Sequence, residues 1–289
     1  IMPPFLANND GSCKTFSDAR WLSDADIGTL GNWADNPAEG DPANIPPDPK
    51  ELPGLTDANI TLDIGTDGTP DYVPTGTPEH PNDDYRCFII NAPVSEDSLV
   101  TAFEVFPGEP RMVHHIILFG LPTPEAEAFA GVLDAREPDQ AGYTCFGDSG
   151  IGVDSTNSDP ENNLASKDIP KFVGGWAPGL KVNRFPQGTG IKILQDRKMI
   201  MQIHYNLEQF STGTVPPDRT KMALKTIPVG TPGSIEAYVG PVFNDSFQLP
   251  RGLPNQQVEG TNTASYPATI YSMFPHMHTL GTKLRVSVA

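Results

Sequence analysis

Short apolar runs separated by clusters of Gly, Pro, Asn and Asp dominate the chain from residue 57 onward. Eight of them pair strand length with β-branched or aromatic residues: ANITLDI (58–64), RCFIINA (86–92), LVTAFEVF (99–106), MVHHIILF (112–119), KMIMQIHYN (198–206), SIEAYVG (234–240), ATIYSMF (268–274) and KLRVSV (283–288). Turn signals at this spacing predict antiparallel β-sandwich architecture. Helical spacing occurs twice. In SDADIGTLGNWAD (23–35) Ser23 is placed to cap a helix whose first turn holds Asp24 and Asp26, with Ile27, Leu30 and Trp33 as its apolar stripe. TPEAEAFAGVLDA (123–135) predicts a second short helix, and the polar 148–170 segment a long loop.

Between these patterns lies NPAEGDPANIPPDPKELPGL, whose six prolines fix backbone angles and remove donors, so it predicts an extended linker. The expected organisation is a helical segment (1–36), a Pro-rich linker (37–56), a first β-sandwich domain (57–240) and the opening of a second β-sandwich (241–289).

Composition narrows the function classes. A net charge of −17 opposes binding to nucleic acid or an anionic membrane surface, and no apolar run approaches the length of a membrane span. The three cysteines are Cys13, Cys87 and Cys145, so at most one disulfide can form and one thiol is left over.

The candidate chemistry lies in the histidines. Five of the six fall in three groups: His114-His115, His204 in MQIHYN, and His276-Met277-His278, while His80 reads as a loop residue. An H-x-H on a strand aims both imidazoles at one side, as a metal requires. Adjacent His114 and His115 would point to opposite faces of a regular strand. Joint ligation therefore needs a bulge, a strand end or binding through the nearer ring nitrogen. Otherwise one imidazole is buried against backbone and the other faces outward. Imidazoles without thiolates suit copper or zinc.

Six blocks in order, DYRCFIINAP, VHHIILFG, GYTCFG, GGWAPGLKVNRFPQGTGIKI, MQIHYN and HMHTLGTKLRV, resemble the ascorbate-dependent copper type II monooxygenases, the family of peptidylglycine α-hydroxylating and dopamine β-monooxygenases. The resemblance implies two copper-binding β-sandwiches. His114, His115 and His204 would hold the first copper. His276 and His278 would hold the second, with a methionine that no residue here matches, so further polypeptide is expected to complete that domain, and the chain alone is expected to be inactive.

The resemblance also implies a Cys87–Cys145 disulfide, O2 as co-substrate, ascorbate or another external electron donor, and a secreted or periplasmic location. Gln202, at an even offset from His204, is expected on the same face with a catalytic part. Peptide-hydroxylating members carry an arginine where this chain has Phe274, so a small apolar or aromatic substrate is expected instead of a peptide carboxylate.

Residues 1–36 resemble the distal part of a c-type cytochrome domain, with Met2 in the axial position. The chain has no C-x-x-C-H, and covalent haem is not expected in it. Two other classes stay open: a non-catalytic copper-binding or adhesion sandwich, and a zinc hydrolase, which the absence of an H-E-x-x-H motif disfavours.

Overall fold

The computed structural model describes residues 22–37, 53–65, 71–77, 80–152, 164–240, 242, 244, 246–264, 267–273 and 281–288. The chain divides into two compact units, one spanning 52–265 and the other formed by 1–51 with 266–289.

All described strands lie in the first unit. They are β1 (Ile60–Asp63), β2 (Asp83–Asn91), β3 (Ser98–Phe106), β4 (Val113–Gly120), β5 (Tyr143–Thr144), β6 (Lys171–Trp176), β7 (Val182–Arg184), β8 (Thr189–Ile193), β9 (Lys198–Asn206), β10 (Lys221–Pro228) and β11 (Ile235–Ala237). One sheet runs β1-β10-β3-β8-β11, with β7 also on β3; the other runs β5-β2-β9-β4-β6. Pairing is antiparallel except between β11 and β8. The protein is therefore mainly β, and its sheets form the expected sandwich.

The core lies between the sheets because alternate residues of each strand turn inward. Val100, Phe103, Met222 and Leu224 from one sheet join Phe88, Ile116, Leu118, Met201, Ile203 and Tyr205 from the other in a single buried cluster. Gly174 in β6 permits the two layers to close at one point, since a Cβ there would stand 2.6 Å from the Phe103 ring.

The outer face of the second sheet is covered at one end by α2 (Pro124–Ala135). Thr123 caps this helix by accepting the Ala126 N–H at 3.2 Å. Ala126, Phe129 and Ala130 pack there with Ile200, Cys87 and Tyr143.

In the other unit the described helix is α1 (Asp24–Asp35), with the predicted Ser23 cap: Ser23 Oγ accepts from Asp26 N, and the Asp26 carboxylate accepts from Ser23 N, both at 3.1 Å. None of its residues is buried.

Two differences from the sequence pattern stand out. β5, β6, β7, β8 and β10 have no counterpart among the expected runs, because β5 and β7 are only two and three residues long and in the others glycines or Lys and Ala replace the usual β-prone residues. Conversely, the described residues of ATIYSMF and KLRVSV carry no strand and are exposed. A ladder needs a partner strand as well as propensity, and no described strand pairs with them. Cys13, Phe274, His276 and His278 lie outside the described residues, as do Met2 and most of the linker.

Candidate metal centre

The His-His pair reaches one side of the sheet through a break in strand parity. Ile116 and Leu118 of β4 face the core, and so does Val113, although 113 and 116 differ by an odd number. The register against β9 resolves this: Val113 pairs with Tyr205 and His115 with His204, so one residue of β9 follows the next while β4 advances two. His114 is the extra residue of a β-bulge, and both imidazoles emerge on the outer face.

On β9, Met199, Met201, Ile203 and Tyr205 point into the core, leaving Ile200, Gln202 and His204 on the outer face. His204 thus meets the bulged pair. His114 is exposed, His115 intermediate and His204 buried.

The three rings converge through the same atom. Nδ1 of His114 lies 3.2 Å from Nδ1 of His115 and 3.1 Å from Nδ1 of His204, and the third side of the triangle is 3.3 Å. The point equidistant from all three is about 1.9 Å from each, so an ion slightly off their plane meets the ~2.0–2.1 Å metal–imidazole distance. Three ring nitrogens in a triangle cannot all satisfy one another with linear N–H···N bonds, because each neutral ring offers one lone pair and one proton. The group could hold a metal ion, and a cation among the nitrogens removes the lone-pair conflict.

A carboxylate sets the ring state. His204 Nε2 lies 2.7 Å from Asp83 Oδ1, so the Nε2–H donates outward and the Nδ1 lone pair is left facing the triangle. Burial pushes the His204 pKa down and the Asp83 hydrogen bond pushes it up; the net shift is downward, favouring the neutral form that a metal needs. Tyr85 stacks on the His204 ring at 4.0 Å between centroids and 7° between planes, which restrains its rotation. Burial, and then the Asp83 charge, raise the Tyr85 hydroxyl pKa.

Cys87 and Cys145 form the expected disulfide, with sulfurs 2.07 Å apart. Tyr85 and Cys87 share the outer face of β2, and the bridge ties them to the segment carrying Phe146. Gln202 lies beside this bridge on the His204 face, as expected, but has no exposed surface: its Nε2 donates to the Asp148 carbonyl and approaches Cys145 Sγ at 3.5 Å.

Asp83 is the functional residue that sequence reasoning missed. The available signal was parity: Asp83, Tyr85 and Cys87 alternate, so a disulfide on the outer face places all three there.

A scan of protein-family models finds none that matches this chain, and no curated protein matches it.

Proposed function

We propose that this protein is a copper-dependent monooxygenase that hydroxylates a C–H bond of a small apolar or aromatic substrate, using O2 and an external one-electron donor such as ascorbate. The observation that carries the reading is the Nδ1 triangle of His114, His115 and His204, built on a bulge and backed by Asp83. Three imidazoles without thiolate suit copper, and the block resemblance of the sequence favours it over zinc.

Bound copper would supply one-electron redox chemistry at this centre. The chain's own residues do the rest: Asp83 retains the Nε2 proton of His204, Tyr85 limits ring rotation, and the exposed His114 side leaves an approach for a small reductant. His276 and His278 are the proposed ligands of a second copper where oxygen and substrate meet, a role that rests on the resemblance. The disulfide fits an oxidising compartment, in line with a secreted or periplasmic protein. Among the described residues no helix is long and apolar enough to cross a membrane.

The test is copper titration followed by spectroscopy, with ascorbate-dependent O2 consumption measured in parallel. The reading predicts a copper signal with nitrogen ligation that His204→Ala removes. Copper bound without any O2 consumption in the presence of substrate candidates would favour a non-catalytic copper module, and absence of copper binding would overturn the proposal.

A further inference from the structure

Three tyrosines are buried among the described residues, and they satisfy their hydroxyls in different ways. Tyr143 donates to the Ser149 carbonyl at 2.6 Å, an ordinary arrangement for an enclosed phenol. Tyr72 and Tyr205 donate to carboxylates instead: Tyr72 Oη to Asp84 Oδ2 at 2.7 Å, and Tyr205 Oη to Asp218 Oδ2 at 3.0 Å. Both carboxylates are themselves buried. Asp84 also accepts the Thr75 N–H at 3.0 Å, and Asp218 accepts the Glu109 N–H at 2.8 Å and the Thr220 hydroxyl at 3.1 Å. Burying two carboxylates is a costly way to satisfy two phenols, since apolar groups of the same shape would need no acceptor. What a carboxylate adds is basicity: it can take the phenol proton, which a carbonyl does not.

The two pairs adjoin. The Tyr72 and Tyr205 rings stand 5.7 Å apart at 40°, and Tyr72 meets Phe88 edge to face at 5.3 Å. Tyr205 follows His204 directly on β9, so one peptide bond joins the imidazole on the outer face to a phenol in the core. The Arg86 guanidinium stands over the Tyr72 ring at 5.4 Å. Its charge opposes a second positive charge on that ring, so the ring can lose an electron only if it gives up its proton as well.

We propose that Tyr205 and Tyr72 form a redox relay that carries a one-electron hole from the His204 centre into the core, each phenol handing its proton to its own carboxylate. A one-electron oxidant takes an electron from Tyr205, whose proton moves to Asp218 Oδ2, leaving a neutral phenoxyl radical. Tyr72 then passes an electron to that radical and a proton to Asp84, while Asp218 returns its proton to Tyr205. A small one-electron donor reduces Tyr72, and Asp84 gives its proton back. One electron has crossed from donor to oxidant, and every proton is where it began. The relay stands on the two hydrogen-bonded pairs and holds whichever metal the histidines take; its use in draining oxidising equivalents from bound copper rests on the copper reading.

The experiment uses the full chain without added metal, photogenerated ruthenium(III) tris(bipyridine) as the one-electron oxidant, and electron paramagnetic resonance of freeze-quenched samples. A tyrosyl signal that outlives that of N-acetyltyrosinamide in the same buffer at least tenfold is expected, because the radical is enclosed. The Tyr72→Phe/Tyr205→Phe double variant keeps both rings and is expected to lose this long-lived signal at least fivefold, while Tyr143→Phe retains it. Asp84→Asn keeps an acceptor oxygen but removes the base, and is expected to shorten the signal's lifetime at least fivefold with far-UV circular dichroism unchanged, an effect that packing alone would not produce. Should Asp84→Asn fail to fold, the Phe variants decide. No long-lived signal in the wild type, or an undiminished one in the double Phe variant, would overturn the proposal. Copper titration of the double Phe variant is expected to match the wild type, so a failure of the relay and a failure of the copper reading give different results.

Discussion

His204 and Asp83, 121 positions apart in the chain, are joined by a 2.7 Å hydrogen bond that leaves only one nitrogen of the imidazole free to face His114 and His115. β2 and β9 lie antiparallel with Tyr85 opposite His204, so the carboxylate one step beyond Tyr85 on the same face reaches the ring's outer edge. Supports of this kind change affinity without touching the ion. Asp83→Ala is expected to weaken copper or zinc binding by about 10–100-fold, leaving far-UV circular dichroism unchanged. Competition titration against a chelator of known affinity measures it, and an unchanged affinity would mean that the Asp83 contact does not hold the tautomer.

The bulge makes a second, independent expectation. Without a bound ion the three Nδ1 atoms crowd one another, so His114→Ala, at an exposed position, should leave the metal-free protein as stable as the wild type or slightly more so. Metal at 100 times its dissociation constant stabilises a folded protein by about 2.7 kcal/mol, which for a unit of this size raises the melting temperature by about 5–10 °C. That rise should appear in the wild type and vanish in His114→Ala. A variant that keeps the full metal-induced shift would show that His114 is not a ligand.

Much of the site was legible from residue types, and its assembly was not. Val, Ile and Phe mark β2, β3, β4 and β9 because their side chains fill a half-buried pleated surface. β10, KMALKTIP, hides behind Lys and Ala, and β6, KFVGGW, behind a glycine whose purpose is to admit Phe103 from the facing sheet. The histidines name themselves as candidates, but adjacency argued against joint ligation until the register exposed the extra residue between Val113 and His115. Asp83 is less visible still. Its meaning depends on which β9 residue lies opposite, and strand register over such a separation is set by the packing of the whole sheet.

The disulfide closes a loop spanning 58 positions of sequence. The chain-entropy model assigns such a loop about 4 kcal/mol, so the Cys87→Ser/Cys145→Ser double variant should lose roughly that amount in urea denaturation under non-reducing conditions. Its effect should extend to the metal centre, since Cys87 anchors the outer face that carries Tyr85 and Asp83. Reduced metal affinity in the still-folded variant is the expected companion result; a stability loss below about 1 kcal/mol would mean that the bridge constrains little of the unfolded chain.

Arg86 provides the pH-dependent prediction. It is almost wholly buried, and its guanidinium donates to the Ala141 carbonyl at 2.8 Å, the Gly142 carbonyl at 2.7 Å, Thr144 Oγ at 3.2 Å and the Glu137 carboxylate. Burial pushes the Glu137 pKa up, but the Thr144 N–H and Arg86 outweigh it and hold the carboxyl below its usual value. A lowered carboxyl pKa stabilises the fold above the unfolded value near 4.3, and that contribution is lost as pH falls through the folded value. Glu137→Gln removes the charge and leaves Arg86 buried without a counterion, a change that costs about 3–5 kcal/mol where both partners are enclosed and should fall at the lower end here because Glu137 is about a third exposed. The stability gap between wild type and Glu137→Gln should therefore be widest near neutral pH and narrow as the pH falls below about 5, as the wild-type carboxylate takes up its proton and comes to resemble the amide. Denaturation series at stepped pH measure the gap directly. A gap that stays constant over this range would show that Glu137 does not draw its stabilising role from the ionised pair with Arg86.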